Sequence, residues 1–383
     1  MPNPSRPAWA TLTPAQAQIL ARNEQAVLQL IERGGPLTFS EYMNWALYDQ
    51  DHGYYAQHEA FGESGDFVTA PLLSSHLARC LAREWAPILD RHGGTIMEVG
   101  CGNGQLAADT LEALGRLGQP PTRYWMIERS ARQRAAAAAR IATSVPQWAD
   151  RVRIVADWPD DEATIIVGNE VLDALPVTRF RIQDQEPQPL LVAAPEGRLR
   201  YVVGDATEAL RTELADLALP DGYESEALTG AFGFLEEAAR HLGHGVILLI
   251  DYGFPRPEFY HPDRSGGTLM CHFRQHAHPD PLILPGLQDI TAHVDFTRVA
   301  QIAMRLGLTL AGYTSQGAFL LSLGIGEDAG GDDAPGLRAR QAIKRLTLPH
   351  EMGELFKVIA LARDLAVPLQ GFRLLDRRRR LLG

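Results

Sequence analysis

The sequence predicts an α/β protein built on a mostly parallel, doubly wound sheet. Three observations carry this expectation. From residue 95 onward, short apolar strands alternate with helices. The first of these strands runs directly into a glycine-rich loop that opens a helix. The composition, 45% hydrophobic and 22% charged over 383 residues, is that of a globular chain able to bury a large core.

The elements follow in order. Thr13-Pro14 is a helix start, with Thr as N-cap and Pro at the first helical position. Ile19, Val27, Leu30 and Ile31 recur near a 3.6 period until Gly34-Gly35-Pro36 breaks the helix. Ser40 is the expected cap of a second helix, which ends at Asp51-His52-Gly53-Tyr54-Tyr55. A turn at Gly62 to Gly65 leads into Gly65-Asp66-Phe67-Val68-Thr69-Ala70-Pro71, and a helix spans Leu72 to Leu89. Core strands are expected at 95–99, 124–127, 152–155, 164–167 and 245–250, with helices at 105–117, 132–142 and 228–242. Short antiparallel strands at 178–182, 190–193 and 199–203 read as an insertion. Residues 253–292, rich in Pro, Gly and His, read as a long loop. Asp295 caps a helix to Leu306, and late strands are expected at 308–314 and 357–361. The domain reading is a helical cap and lid over 1–71, then one domain over 72–383 with insertions at about 176–228 and 253–294.

Charge and cysteines exclude several function classes. With 36 Lys+Arg against 47 Asp+Glu the net charge is −11, which argues against nucleic acid as a partner. The run Arg377-Arg378-Arg379-Arg380 reads as a solvated end. Cys80, Cys101 and Cys271 form no CxxC pair, so neither a disulfide framework nor structural zinc is expected. The start MPNPSRPAWATLTPAQ has no export or transit pattern, and the run Val246 to Ile250 is too short to span a membrane. A cytoplasmic protein without membrane insertion is the expectation.

The chemistry concentrates at strand ends. Glu98-Val99-Gly100-Cys101-Gly102-Asn103-Gly104 departs from the dinucleotide fingerprint G-x-G-x-x-G, because its third glycine comes one residue early. E-x-G-x-G-x-G is the form typical of S-adenosylmethionine binding. Glu128, at the carboxyl end of the second strand, can accept both ribose hydroxyls or act merely as a helix-cap carboxylate. Asp157 after the third strand is a candidate for the adenine amino group, or a surface turn acid. Cys101 reads as a small residue. Asn169 and Glu170 end the fourth strand; Asn169 can hold an acceptor nitrogen, and Glu170 can pair with a guanidinium or take a proton. The alternative is a capping Asn and a surface Glu. Tyr252, at the end of the fifth strand, either walls the acceptor channel or packs. Gly65, Asp66, Phe67 and Thr69 are candidate lid residues. His272, His276, His278 and His293 match no metal-ligand spacing, so no metal is expected.

These stretches together resemble the MidA family of methyltransferases, whose mitochondrial members are respiratory complex I assembly factors. The likeness runs through Phe39-Ser40-Glu41-Tyr42-Met43, Asp51 to Tyr55, Gly65 to Pro71, Glu98 to Gly104 and Gly168 to Pro176. It continues through Asp251-Tyr252-Gly253, Ser265 to Leu269 and Asp289 to Phe296. The resemblance implies a Rossmann-like, seven-stranded methyltransferase core with S-adenosylmethionine as cofactor. It also implies methylation of an arginine in a partner protein, with Gly100, Gly102 and Gly104 in the cofactor loop and Asn169 and Glu170 at the acceptor. Lacking a transit segment, the chain reads as bacterial. Two alternatives stand beside this: a non-catalytic assembly chaperone on the same fold, and a nicotinamide-dependent oxidoreductase. The oligomeric state is left open, a homodimer included.

Overall fold

The computed structural model describes residues 7, 9–57, 70–274 and 276–382. Gly65, Asp66, Phe67 and Thr69, the expected lid, lie outside these residues. The chain divides into two compact units. One comprises Met1–Phe67, Ala174–Gly230 and Pro257–His293; the other comprises Val68–Asp173, Ala231–Arg256 and Val294–Gly383.

The second unit is the doubly wound sheet. Its core strands are β1 (Thr95–Val99), β2 (Arg123–Ile127), β3 (Val152–Val155), β4 (Ala163–Asn169), β5 (Leu242–Phe254), β6 (Thr309–Ser315) and β7 (Phe356–Arg363). They lie in the order β6-β7-β5-β4-β1-β2-β3, and the two-residue strand Val294–Asp295 adds to the end of β5. β1 to β5 are mutually parallel, whereas β7 runs antiparallel to both β5 and β6. Strands covered on both faces read as continuous apolar runs rather than alternating ones. Accordingly Ile165, Ile166 and Val167 of β4 and Val246 to Ile250 of β5 are all buried. Helix His76–His92 contributes Leu77, Leu81, Trp85 and Ile88 to the same core. The expected 72–89 helix is therefore a short turn, Ala70–Leu73, followed by this longer helix.

Strand order changes direction at β1. β2 and β3 extend to one side of it, while β4 and β5 extend to the other. The carboxyl ends of β1 and β4 thus flank a topological switch point, where such sheets leave a crevice for ligands.

The first unit holds helix Pro14–Gly34, with Thr13 and Gln16 forming its capping box, and helix Phe39–Tyr48. Ser40 does not cap that second helix. Thr38 does, because its side chain accepts from Glu41 N while Glu41 reaches back to Thr38 N. Strands Leu37–Thr38, Glu186–Ala193, Thr178–Gln183 and Glu224–Ala227 form an antiparallel sheet in that order, with Arg200–Val203 also on Glu186–Ala193. Residues 253–292 are not one long loop. The fifth core strand runs on to Phe254, and Met270–Phe273 pairs with both His276–His278 and Asp289–Thr291.

Candidate active site

The glycine loop leaves β1 with three left-handed glycines, Gly100, Gly102 and Gly104, at φ of 67°, 51° and 79°. Protein packing alone demands two of them. A Cβ on Gly104 would meet Met126 Cε at 2.9 Å and Ala137 at 3.1 Å, which is close helix-on-strand packing. A Cβ on Gly100 would lie 2.9 Å from Val171 Cγ2, so this loop and the segment after Glu170 touch. Gly102 donates its N–H to Glu128 Oε2 at 3.1 Å, and Ser130 N donates to Glu128 Oε1 at 2.8 Å.

Glu128 therefore ties the loop to the start of helix Ala131–Ser144. Burial raises its carboxyl above the ordinary value, and the two backbone N–H groups pull it back. A carboxylate has roughly four acceptor sites, so two hydroxyl donors can still be accommodated. Glu98 is buried within the sheet and accepts Tyr124 Oη at 2.7 Å. Burial pushes it up to about 8, with Glu128 adding to the effect, so it is largely protonated at neutral pH. Burial likewise raises the Cys101 thiol, which fits an inert small residue. Asp157 sits exposed, two residues beyond the end of β3.

The end of β4 carries an acidic cluster. Asn169 Nδ2 donates to Glu170 Oε1 at 3.0 Å, while its Oδ1 is buried without a hydrogen-bond partner among the described residues. Glu170 has a left-handed backbone, φ 55°, which costs a non-glycine residue about 1–2 kcal/mol. Its N–H is bound by Ile250 O at 2.8 Å. Asp251 is fully buried within β5, three residues before its end. Burial, with the charges of Asp173 and Glu170 alongside, pushes its carboxyl well above the ordinary range. Tyr252 donates its hydroxyl to Asp173 Oδ2 and stands edge-on to Phe356 at 5.5 Å.

The structure thus brings Asn169, Glu170 and Tyr252 together and adds Asp173 and Asp251, which sequence reasoning did not assign to the site. Asp173 and Asp251 do stand within the motif stretches 168–176 and 251–253, but their roles depend on hydrogen bonds between residues about 80 positions apart. Among the described residues, no group of three or more His, Cys, Asp or Glu side chains is placed to hold a metal ion. His276 stacks against Trp9 with ring centroids 4.2 Å apart, and His278 lies tilted to the same ring at 4.6 Å.

A left-handed glycine loop at a switch point and an orphaned amide oxygen nearby fit a small polar ligand there. A family model for S-adenosyl-L-methionine-dependent methyltransferases matches residues 76–314. The chain belongs to this family, the MidA methyltransferases. A crystal structure from Burkholderia thailandensis bound to S-adenosyl-homocysteine is 37% identical, with a TM-score of 0.91 over 96% of this chain and 99% of that one. A native crystal structure from the same organism aligns over the same shares with a TM-score of 0.88. The mitochondrial protein arginine methyltransferase NDUFAF7 homolog of Drosophila melanogaster is 29% identical over 85% of this chain and 82% of its own length. The Homo sapiens protein of that name is 26% identical over 86% and 81%. As a MidA methyltransferase the chain uses S-adenosylmethionine, and the nicotinamide alternative falls. No helix among the described residues is long and apolar enough to cross a membrane.

Proposed function

We propose that this methyltransferase acts on an arginine of a partner protein. The observation that carries this reading is the Glu170 carboxylate beside Asn169, whose Oδ1 has no partner among the described residues, with Glu170 and Asp173 both close enough to Asp251 to act on its carboxyl. Crowded carboxylates repel one another and favour a cation among them. The names of the mitochondrial relatives, protein arginine methyltransferases, support the same class of acceptor. Respiratory complex I assembly, implied by the family resemblance, is the setting in which to look for it.

Bound S-adenosylmethionine supplies a sulfonium methyl, whose S–C bond breaks as the acceptor's N–C bond forms. The chain's own residues then have three tasks. Glu128 and the loop Gly100 to Gly104 hold the cofactor at the sheet edge. Asn169 Oδ1 accepts an N–H of the guanidinium and so aims its nitrogen. Glu170 offsets the repulsion between guanidinium and sulfonium, both positive, and its carboxylate takes the N–H proton that methylation releases. The methylated guanidinium keeps its charge, so one proton leaves for each methyl gained.

The test is methyl-labelled S-adenosylmethionine added to an extract of cells lacking the protein, with purified protein supplied and the labelled product analysed by mass spectrometry. Methylarginine in one or a few proteins is the expected result. Label on another residue type rejects arginine, and no protein label favours the chaperone alternative. Glu170→Gln should slow labelling about a hundredfold, a loss of about 3 kcal/mol of barrier stabilisation. Its affinity for S-adenosylmethionine should stay within about threefold.

A further inference from the structure

We propose that Asp251 is a positioning residue for methyl transfer, holding Glu170 in its left-handed conformation through the backbone that follows it. One carboxylate oxygen, Asp251 Oδ2, accepts three successive N–H groups, from Val171 at 3.1 Å, Leu172 at 2.8 Å and Asp173 at 3.3 Å. The other oxygen accepts Tyr252 N at 2.9 Å. On its own N–H side, Glu170 is tied to Ile250 O at 2.8 Å. Both flanks of Glu170 are thus anchored to consecutive residues of β5, and no ordinary helix or strand hydrogen bond replaces these three at Asp251 Oδ2.

The chemistry requires an acid here. A carboxylate offers acceptors on both oxygens. An asparagine has one acceptor oxygen, and its amide would set N–H groups against the Tyr252 N–H. Without Asp251 three buried N–H groups lose their partner. The φ of 55° at Glu170 then loses the anchor on its C-terminal side and keeps only the bond to Ile250 O, and the carboxylate leaves its place beside Asn169.

This inference rests on the acceptor role given to Glu170. The experiment compares wild type, Asp251→Ala, Glu170→Gln and the double variant. It reads the initial rate of label transfer into the extract protein, the dissociation constant for S-adenosylmethionine, and Tm. Asp251→Ala, which removes the oxygen that accepts all three N–H groups, should slow transfer about thirtyfold or more, with cofactor affinity within about threefold. The double variant should be no more than about threefold slower than Glu170→Gln alone, because the second change removes an orientation no longer used. Effects that multiply, or wild-type turnover in Asp251→Ala, overturn the inference while leaving Glu170 in place. Wild-type turnover in Glu170→Gln overturns the acceptor role and this inference with it. Should Asp251→Ala fail to fold, amide exchange of the wild-type protein decides. The Val171, Leu172 and Asp173 amides should exchange as slowly as those of β5, and fast exchange at these three overturns the proposal.

Discussion

Gly100, Gly102 and Gly104 look equivalent in the sequence, yet the structure separates them. Gly104 is held by contact with Met126 and Ala137, Gly100 by Val171, and Gly102 by its bond to Glu128. Gly104→Ala should therefore destabilise the protein by about 1–3 kcal/mol, lowering Tm by several degrees, with a modest effect on cofactor affinity. Gly102→Ala carries a similar backbone strain but should weaken cofactor binding out of proportion to its Tm change. Calorimetry on both variants checks this, and equal ratios of affinity loss to Tm loss would count against the distinction. The left-handed backbone of Glu170 was not legible in the sequence. Glutamate has no preference for that conformation, and the residue enforcing it lies 81 positions away at Asp251. The types and places of Asn169, Glu170 and Glu128 were legible, because strand ends with short polar runs mark the sheet's open edge.

The core strands were readable because burial on both faces leaves unbroken apolar runs bounded by Gly or an acid. Other elements obeyed signals that compete. In Thr38-Phe39-Ser40-Glu41 two hydroxyl residues could start the helix, and the reciprocal bond with Glu41 selects Thr38. Thr38→Ala should cost about 1 kcal/mol and Ser40→Ala only a few tenths, read as faster amide exchange in the first turn of helix Phe39–Tyr48. Strand Met270–Phe273 was hidden for a different reason. Four residues among Pro, Gly and His carry too little periodicity, and its two partners begin 6 and 19 residues further on.

At the scale of the whole molecule, buried acids set the response to pH. Burial lifts Glu84 from 4.5 to about 7 and Glu98 from 4.5 to about 8, and it raises Glu226, Asp295 and Asp251 as well. Above pH 4.5 the folded chain keeps protons on Glu84 and Glu98 that the unfolded chain has lost. Their contribution is full below 4.5 and disappears as pH rises through the folded values. His76 and His278, lowered from 6.5 by burial, act oppositely: they cost stability as pH falls below 6.5. Tm should therefore decline between pH 6.5 and 8.5. Glu84→Gln and Glu98→Gln, which keep the acceptor oxygen for Gln370 and Gly371 or for Tyr124, should each flatten that slope. A wild-type Tm that rises over this interval would contradict the picture.

The place of β7 has a consequence for synthesis on the ribosome. Residues 356–363 lie between β5 and β6, so among the described residues β6 has no strand neighbour other than β7. While the chain is being made, β5 presents an open, apolar edge for more than a hundred residues of translation. β6 emerges into solvent with nothing to pair with. An unpaired edge is a template for association with other chains. Stalled or truncated chains ending before residue 356 are thus the species most exposed to aggregation and to capture by chaperones.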